Sequence, residues 1–168
     1  MDTFEIQTAD TPEKIDLIAG LAKAIWNEYY PPIIGQAQVD YMVSRFQSAE
    51  AMLQQLSEGY EYYLLQHDHQ NVGYCAIVLR PDGELFLSKL YLDKAHRGMG
   101  LAWRALLFIQ QRAEKLGATH ISLTVNKDNI GAINAYEKFG FRKTAKMEID
   151  IGDGFIMDDY RMEKSVDF

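Results

Sequence analysis

Cysteine is nearly absent from this 168-residue chain, where Cys75 stands alone. A lone thiol makes no internal disulfide, and without a CxxC pair there is neither a zinc site nor a redox couple, so a reducing compartment fits best. Positive charge is scarce as well. Seventeen Lys and Arg against twenty-four Asp and Glu leave a net charge of −7, the wrong sign for a general binder of nucleic acid or of anionic membranes. Long apolar runs are missing: Lys23 interrupts the most apolar helical stretch, and nothing approaches the ~18 residues of a membrane span. The first ten residues, MDTFEIQTAD, carry three acidic groups and no Lys or Arg. They offer neither the basic nor the apolar region of a signal peptide, and a cytoplasmic location is expected. No repeat, low-complexity tract or linker divides the chain, and at 48% apolar residues it can bury the core of one domain.

Apolar periodicity divides the chain into helical and extended parts. Thr3 to Thr8 reads as a strand, and Thr11-Pro12 opens a helix that Pro31 and Pro32 stop. Helical spacing continues from Gln36 to Phe46, and Ser48 caps a further helix to Leu56. Three strands follow as an antiparallel meander, Tyr60 to Gln66, Val72 to Leu79 and Glu84 to Leu92. A helix from Leu101 to Leu116, a strand at His120 to Val125, a short helix ended by Gly140 and a hairpin turned at Gly152-Asp153-Gly154 complete the order. The fold class is α+β (mixed α/β), with one βαβ unit inside it.

The chemistry concentrates in Leu90 to Ala102, LYLDKAHRGMGLA. A strand ends, a loop with Gly98 and Gly100 follows, and a helix begins, so backbone N–H groups converge where an anion can bind. Lys94, His96, Arg97 and Arg104 add positive potential within an acidic chain, which suits a pyrophosphate. Two familiar phosphate loops fail here. A G-x-G-x-x-G fingerprint needs glycine at Trp103, and a P-loop needs Lys and Ser or Thr where Leu101 and Ala102 stand.

The run Arg97-Gly98-Met99-Gly100-Leu101-Ala102 resembles the R/Q-x-x-G-x-G/A pyrophosphate loop of the GNAT superfamily of N-acetyltransferases, with Ala102 in place of the commoner glycine. A second block, Asn129, Ala132, Tyr136, Gly140 and Phe141, resembles that family's later motif, one helix and one strand downstream. The likeness spans about residues 3 to 164. It implies a single domain whose mixed, mostly antiparallel sheet, flanked by helices, is splayed where its fourth strand parts from its fifth, with acetyl-CoA as co-substrate in the cleft and no metal.

The resemblance also assigns roles. The backbone of Leu90, Tyr91 and Leu92 pairs with the pantetheine arm, and residues 97 to 102 hold the pyrophosphate. A β-bulge in strand 84–92 frees an N–H for the thioester carbonyl. Asn129 contacts pantetheine, and Tyr136, on the same helical face, protonates the departing thiolate. Lys138 either reaches the CoA phosphates or is a solvated helix lysine. Glu84 is the leading general base, with a polar strand end as the competing reading. Asp158 and Asp159 bind a cationic acceptor or face water. Trp26, Glu28 and Tyr30 wall the acceptor site, although core packing explains the two aromatic residues equally.

His67-Asp68-His69 reads as a solvated hairpin turn rather than a metal site, and Cys75 as a small buried residue. The implied activity is acetylation of a primary amine, on a small molecule or a peptide, by direct attack in a ternary complex. The alternatives are a non-catalytic CoA-binding regulatory module and an acyltransferase using another acyl-CoA. A homodimer is compatible with the sequence; nucleic-acid and membrane partners are not expected.

Overall fold

The computed structural model describes residues 2–166. Its strands are β1 (Phe4–Thr8), β2 (Glu61–His67), β3 (Gln70–Leu79), β4 (Glu84–Leu92), β5 (His120–Asn126), β6 (Arg142–Gly152) and β7 (Phe155–Ser165). They form one sheet in the order β1-β2-β3-β4-β5-β7-β6. Every neighbouring pair is antiparallel except β4 with β5. That parallel pair is joined by helix α5 (Leu101–Lys115, numbered after the four helices below), the crossover a parallel connection requires.

Six helices cover the two faces. The first four are α1 (Pro12–Tyr29), α2 (Pro31–Ile34), α3 (Gln36–Phe46) and α4 (Ala49–Ser57), and α6 is Ile130–Phe139. Thr11 and Ser48 cap α1 and α4 by accepting from the N–H of Lys14 and of Ala51. The apolar stripes of α1, α3 and α4, including Ile15, Ile18, Val39 and Met52, pack on Tyr62, Leu64, Tyr74 and Ala76. On the other face, Leu101, Leu106 and Ile109 of α5 and Ile133 of α6 pack on Leu85, Leu87, Ile121 and Leu123.

The α1–α2 corner departs from the expected plain stop. Pro31 and Pro32 end α1 and also open the one-turn α2, because proline lacks the N–H that a first helical turn leaves unused. His67 differs as well. It is only 5% exposed and lies 3.2 Å from an Asp2 carboxylate oxygen, so β1 covers the hairpin edge that was expected to be solvated.

Gly73 sets how closely β3 approaches β4. A Cβ there would lie 2.2 Å from the Tyr91 carbonyl oxygen, a backbone atom that cannot give way cheaply. Gly73→Ala is expected to destabilise the chain by about 1–3 kcal/mol, the range for overpacking. A lower denaturant midpoint with unchanged slope checks it.

Candidate active site

The site begins where two strands part. β4 pairs with β5 only through Glu84–Phe86 against His120–Ser122, while β5 stays paired to β7 along its whole length. The β4 edge from Leu87 to Leu92 therefore lacks a strand neighbour on that side, and its backbone groups border a cleft. Register against β3 also shifts. Lys89 lies opposite Ala76 and Leu87 opposite Ile77, which leaves Ser88 as an extra residue in a bulge. The bulge resets side-chain alternation, so Leu85 and Leu87 face the α5 side while Tyr91 faces α1.

Two cavities open on this cleft. The first, about 560 Å³, is lined by Leu90, Tyr91, Leu92, Arg97, Gly98, Gly100, Leu101, Ala102, Asn129, Tyr136 and Lys138, among others. Gly100 caps α5 with a left-handed φ of 76° and provides no side-chain hydrogen bond. The first N–H groups of α5 are thus left for a ligand. A Cβ on Gly98 or Gly100 would meet nothing within 4 Å, so glycine serves the positive φ and the space in front is open. Met99, also expected in this loop, is 51% exposed and does not line the cavity.

The basic cluster read from the sequence is largely neutralised. Arg97 pairs with Glu28 at 2.9 Å, stacks over the Tyr29 ring at 4.5 Å and donates to the Leu92 carbonyl. His96 pairs with Asp93, and Arg104 with Asp2. The α5 N-terminus, more than unpaired side-chain charge, is what the loop offers to an anion. Glu28, expected on the acceptor wall, lines neither cavity and instead holds Arg97.

The second cavity, about 250 Å³, lies between the sheet and α1–α4. Trp26, Tyr30, Gln47, Gln55, Ser88, Lys89, Tyr91, Thr124, Asn129, Tyr136 and Asp159 are among its lining residues. Trp26 and Tyr30 stack at 4.2 Å and belong to the core, so core packing and wall are one arrangement. The cavities share Tyr30, Leu90, Tyr91, Asn129, Ala132 and Tyr136. Asn129 caps α6, accepts from the Tyr29 hydroxyl at 2.6 Å and donates to the Tyr30 hydroxyl, fixing the junction. The Tyr136 hydroxyl has no hydrogen-bond partner among the described residues, and burial, followed by the nearby Cys75 thiol, raises its pKa. Burial, together with neighbouring Asp158, lifts the Asp159 carboxyl to about 6. Burial pushes the Cys75 thiol up to about 12, which removes it as a nucleophile at neutral pH.

Two carboxylates expected at the site lie elsewhere. Glu84 sits at the paired end of β4, lines neither cavity, and bonds Arg80 at 2.7 Å and Arg161 at 2.5 Å. Burial would raise its pKa, but the bonds from Arg161 and Arg80 bring it down to about 2, so it is a structural anion and a poor base. Asp158 is ion-paired with Lys127 and also lies outside both cavities, whereas Asp159, its neighbour on the alternate face of β7, lines the second.

A splayed mixed sheet with a glycine loop at a helix N-terminus sets an unpaired strand edge beside an open helix end. The pattern of the acetyltransferase (GNAT) family matches residues 21–141, and the chain belongs to that family of N-acetyltransferases. It is similar to an uncharacterised N-acetyltransferase of Mycobacterium bovis, 28% identical and covering 76% of this chain and 82% of that one. It is also similar to a probable spermine N(1)-acetyltransferase of Bacillus subtilis subsp. natto, 27% identical over 70% of this chain and 81% of that one. In fold it matches the PaiA N-acetyltransferase of Thermoplasma acidophilum, solved with coenzyme A, at TM-score 0.81 and 20% identity over 97% and 99% of the two chains. The ribosomal-protein-S18-alanine N-acetyltransferase of Escherichia coli matches at TM-score 0.71 and 17% identity over 99% and 96%. Among the described residues no helix is long and apolar enough to cross a membrane.

Because the folded pKa of Glu84 lies below the ordinary glutamate value of 4.5, its ion pairs stabilise the fold above that pH and are lost as pH falls through about 2. Glu84→Gln is expected to cost about 2 kcal/mol near neutral pH, less than the full shift implies because Arg80 is half exposed. Urea unfolding of both proteins at neutral and strongly acidic pH measures the difference, which should shrink on acidification.

Proposed function

We propose that the chain is an acetyl-CoA-dependent enzyme that transfers an acetyl group to a primary amine by direct attack in a ternary complex. The observation that carries this reading is the shared wall of the two cavities: thioester and amine would meet at Tyr30, Tyr91, Asn129 and Tyr136. The co-substrate fits the first cavity, where the free β4 edge from Leu90 to Leu92, residues 97–102 at the start of α5, and Lys138 offer backbone N–H groups and one cation to pantetheine and pyrophosphate. The bulge at Ser88 supports an oxyanion site on this edge.

Asp159 replaces Glu84 as the proposed base. A carboxyl near 6 is ionised at neutral pH and still basic enough to take a proton from the ammonium form of the acceptor. The amine nitrogen then forms a bond to the thioester carbonyl carbon, the carbon–sulfur bond breaks, and Tyr136, kept protonated by its raised pKa, donates its proton to the leaving thiolate. The second proton that the nitrogen loses on becoming an amide restores the phenol through solvent, and Asp159 releases its proton to water. The inert Cys75 argues against a covalent acyl-enzyme.

Tyr136→Phe is expected to lower CoA release at least tenfold while acetyl-CoA binding persists. Unchanged turnover would remove Tyr136 from the mechanism. Binding without CoA release across a broad amine and peptide panel would instead favour a non-catalytic CoA-binding module. Faster release from longer acyl-CoAs would reassign the acyl group.

Asp159 gives a second test. In the wild type, activity should rise as pH increases through about 6, with Asp158, Thr124, Tyr30 and Tyr91 the polar groups facing the titrating carboxyl; Asp159→Asn should lose that rise along with most of the rate. The folded pKa exceeds the ordinary aspartate value of 3.8, so the folded state holds its proton longer and stability falls as pH rises from about 4 to about 6. Asp159→Asn should therefore raise Tm at neutral pH, by up to about 2–3 kcal/mol of stability, with little gain below about pH 4. Thermal melts across that range measure it.

A further inference from the structure

Lys89 is a buried cation with no counter-ion among the described residues. It is 4% exposed, lines the second cavity, and has no acidic partner among the described residues. Its ammonium group donates to Gln55 Oε1 at 3.0 Å and to the Tyr62 hydroxyl at 2.5 Å, and it lies over the Tyr62 ring. Two of its three N–H donors are thereby used. A desolvated ammonium with only neutral partners is costly, and such charges in proteins are paired as a rule.

The groups around Lys89 also present donors. Lys89 can only donate, so Gln55 must turn its carbonyl oxygen toward it, which directs the amide N–H pair elsewhere. Gln47, 4% exposed, accepts from the Tyr74 hydroxyl through Oε1, and no described residue accepts from its own N–H pair. The cavity is therefore lined by an ammonium and by amide donors. The cavity has one carboxylate, Asp159, and these two are its charged residues. A polyamine would bring two or more cations to a wall with a single acid and a buried lysine.

We propose that the acceptor is a small amine that also carries a carboxylate, with the carboxylate bound by Lys89 and the amine directed toward Asp159. This rests on the transferase reading above and specifies its substrate class. The carboxylate supplies the counter-ion that the fold leaves out and accepts the third Lys89 proton and the Gln47 amide. The small volume, about 250 Å³, suits a single amino acid. Burial brings the Lys89 pKa down to about 8, so the group is still mainly charged at neutral pH.

The test compares acceptors matched in length: α- and ω-amino acids, the corresponding amides, and diamines, each assayed by CoA release. Amino carboxylates are expected to exceed both other sets at least tenfold in kcat/KM. In Lys89→Met the carboxylate-to-amide ratio should fall at least tenfold, mainly through KM. Preference for diamines, or a ratio that the substitution leaves unchanged, would overturn the proposal and leave the transferase reading standing. Release from no acceptor at all would overturn the transferase reading and this proposal with it. The wild-type ranking does not depend on how well the variant folds.

Discussion

The parting of β4 from β5 after three paired residues is the constraint on which the rest depends. A parallel pair that continued to Leu92 would satisfy every backbone group on that edge and close the cleft. Parting exposes a row of polar backbone groups that a folded protein ordinarily pairs or covers, an arrangement tolerated where a ligand takes the place of the missing strand. The parted strands are held by neighbours to which they remain paired. β3 holds β4 to its end at Leu92, β7 holds β5, and at the joined end Arg161 of β7 and Arg80 grip Glu84. Glu84 thus serves the site from a distance by fixing the point where the strands separate.

The last turn of α1 closes the opposite side. Its consecutive residues reach different parts of the cleft: Glu28 holds Arg97 of the glycine loop, Tyr29 bonds Asn129 at the start of α6, and Tyr30 stacks on Trp26 at the wall of the second cavity. Consecutive helical residues point about 100° apart, so one turn can touch a loop, a cap and a core at once. Pro31 and Pro32 then stop α1 at this turn. The glycine loop and the wall of the second cavity are consequently joined through three adjacent side chains.

Features set by local sequence were legible before the fold was known. The helix caps, the glycine loop and the Asn129-to-Tyr136 spacing depend on residues within a turn or two of each other, and the structure has them where the sequence put them. The misread residues depend on distant partners. Glu84 was open between a base and a polar strand end because Arg161, which ties it down, lies 77 positions away in the chain, and Glu28 looked available because Arg97 reaches it only in the folded state. The apparent cluster of positive charge failed for the same reason, since Asp2, Glu28 and Asp93 come from three separate segments. Alternation along β7 implied that Asp158 and Asp159 face opposite ways, but only pairing to β5 decides which of them faces the cleft.

Lys89 went unnoticed for a different reason, and that reason joins the bulge to specificity. By strict alternation Lys89 shares a face with Leu85 and Leu87, beneath α5, where an ammonium would have no polar partner. The extra residue at Ser88 turns the strand, moving Lys89 to the face of Tyr62 and Tyr91. The same irregularity that interrupts the β3–β4 ladder therefore delivers a cation into the neighbouring cavity. Straightening β4 would remove both features together, and a lysine at this position is tolerable only because the strand is bulged one residue before it.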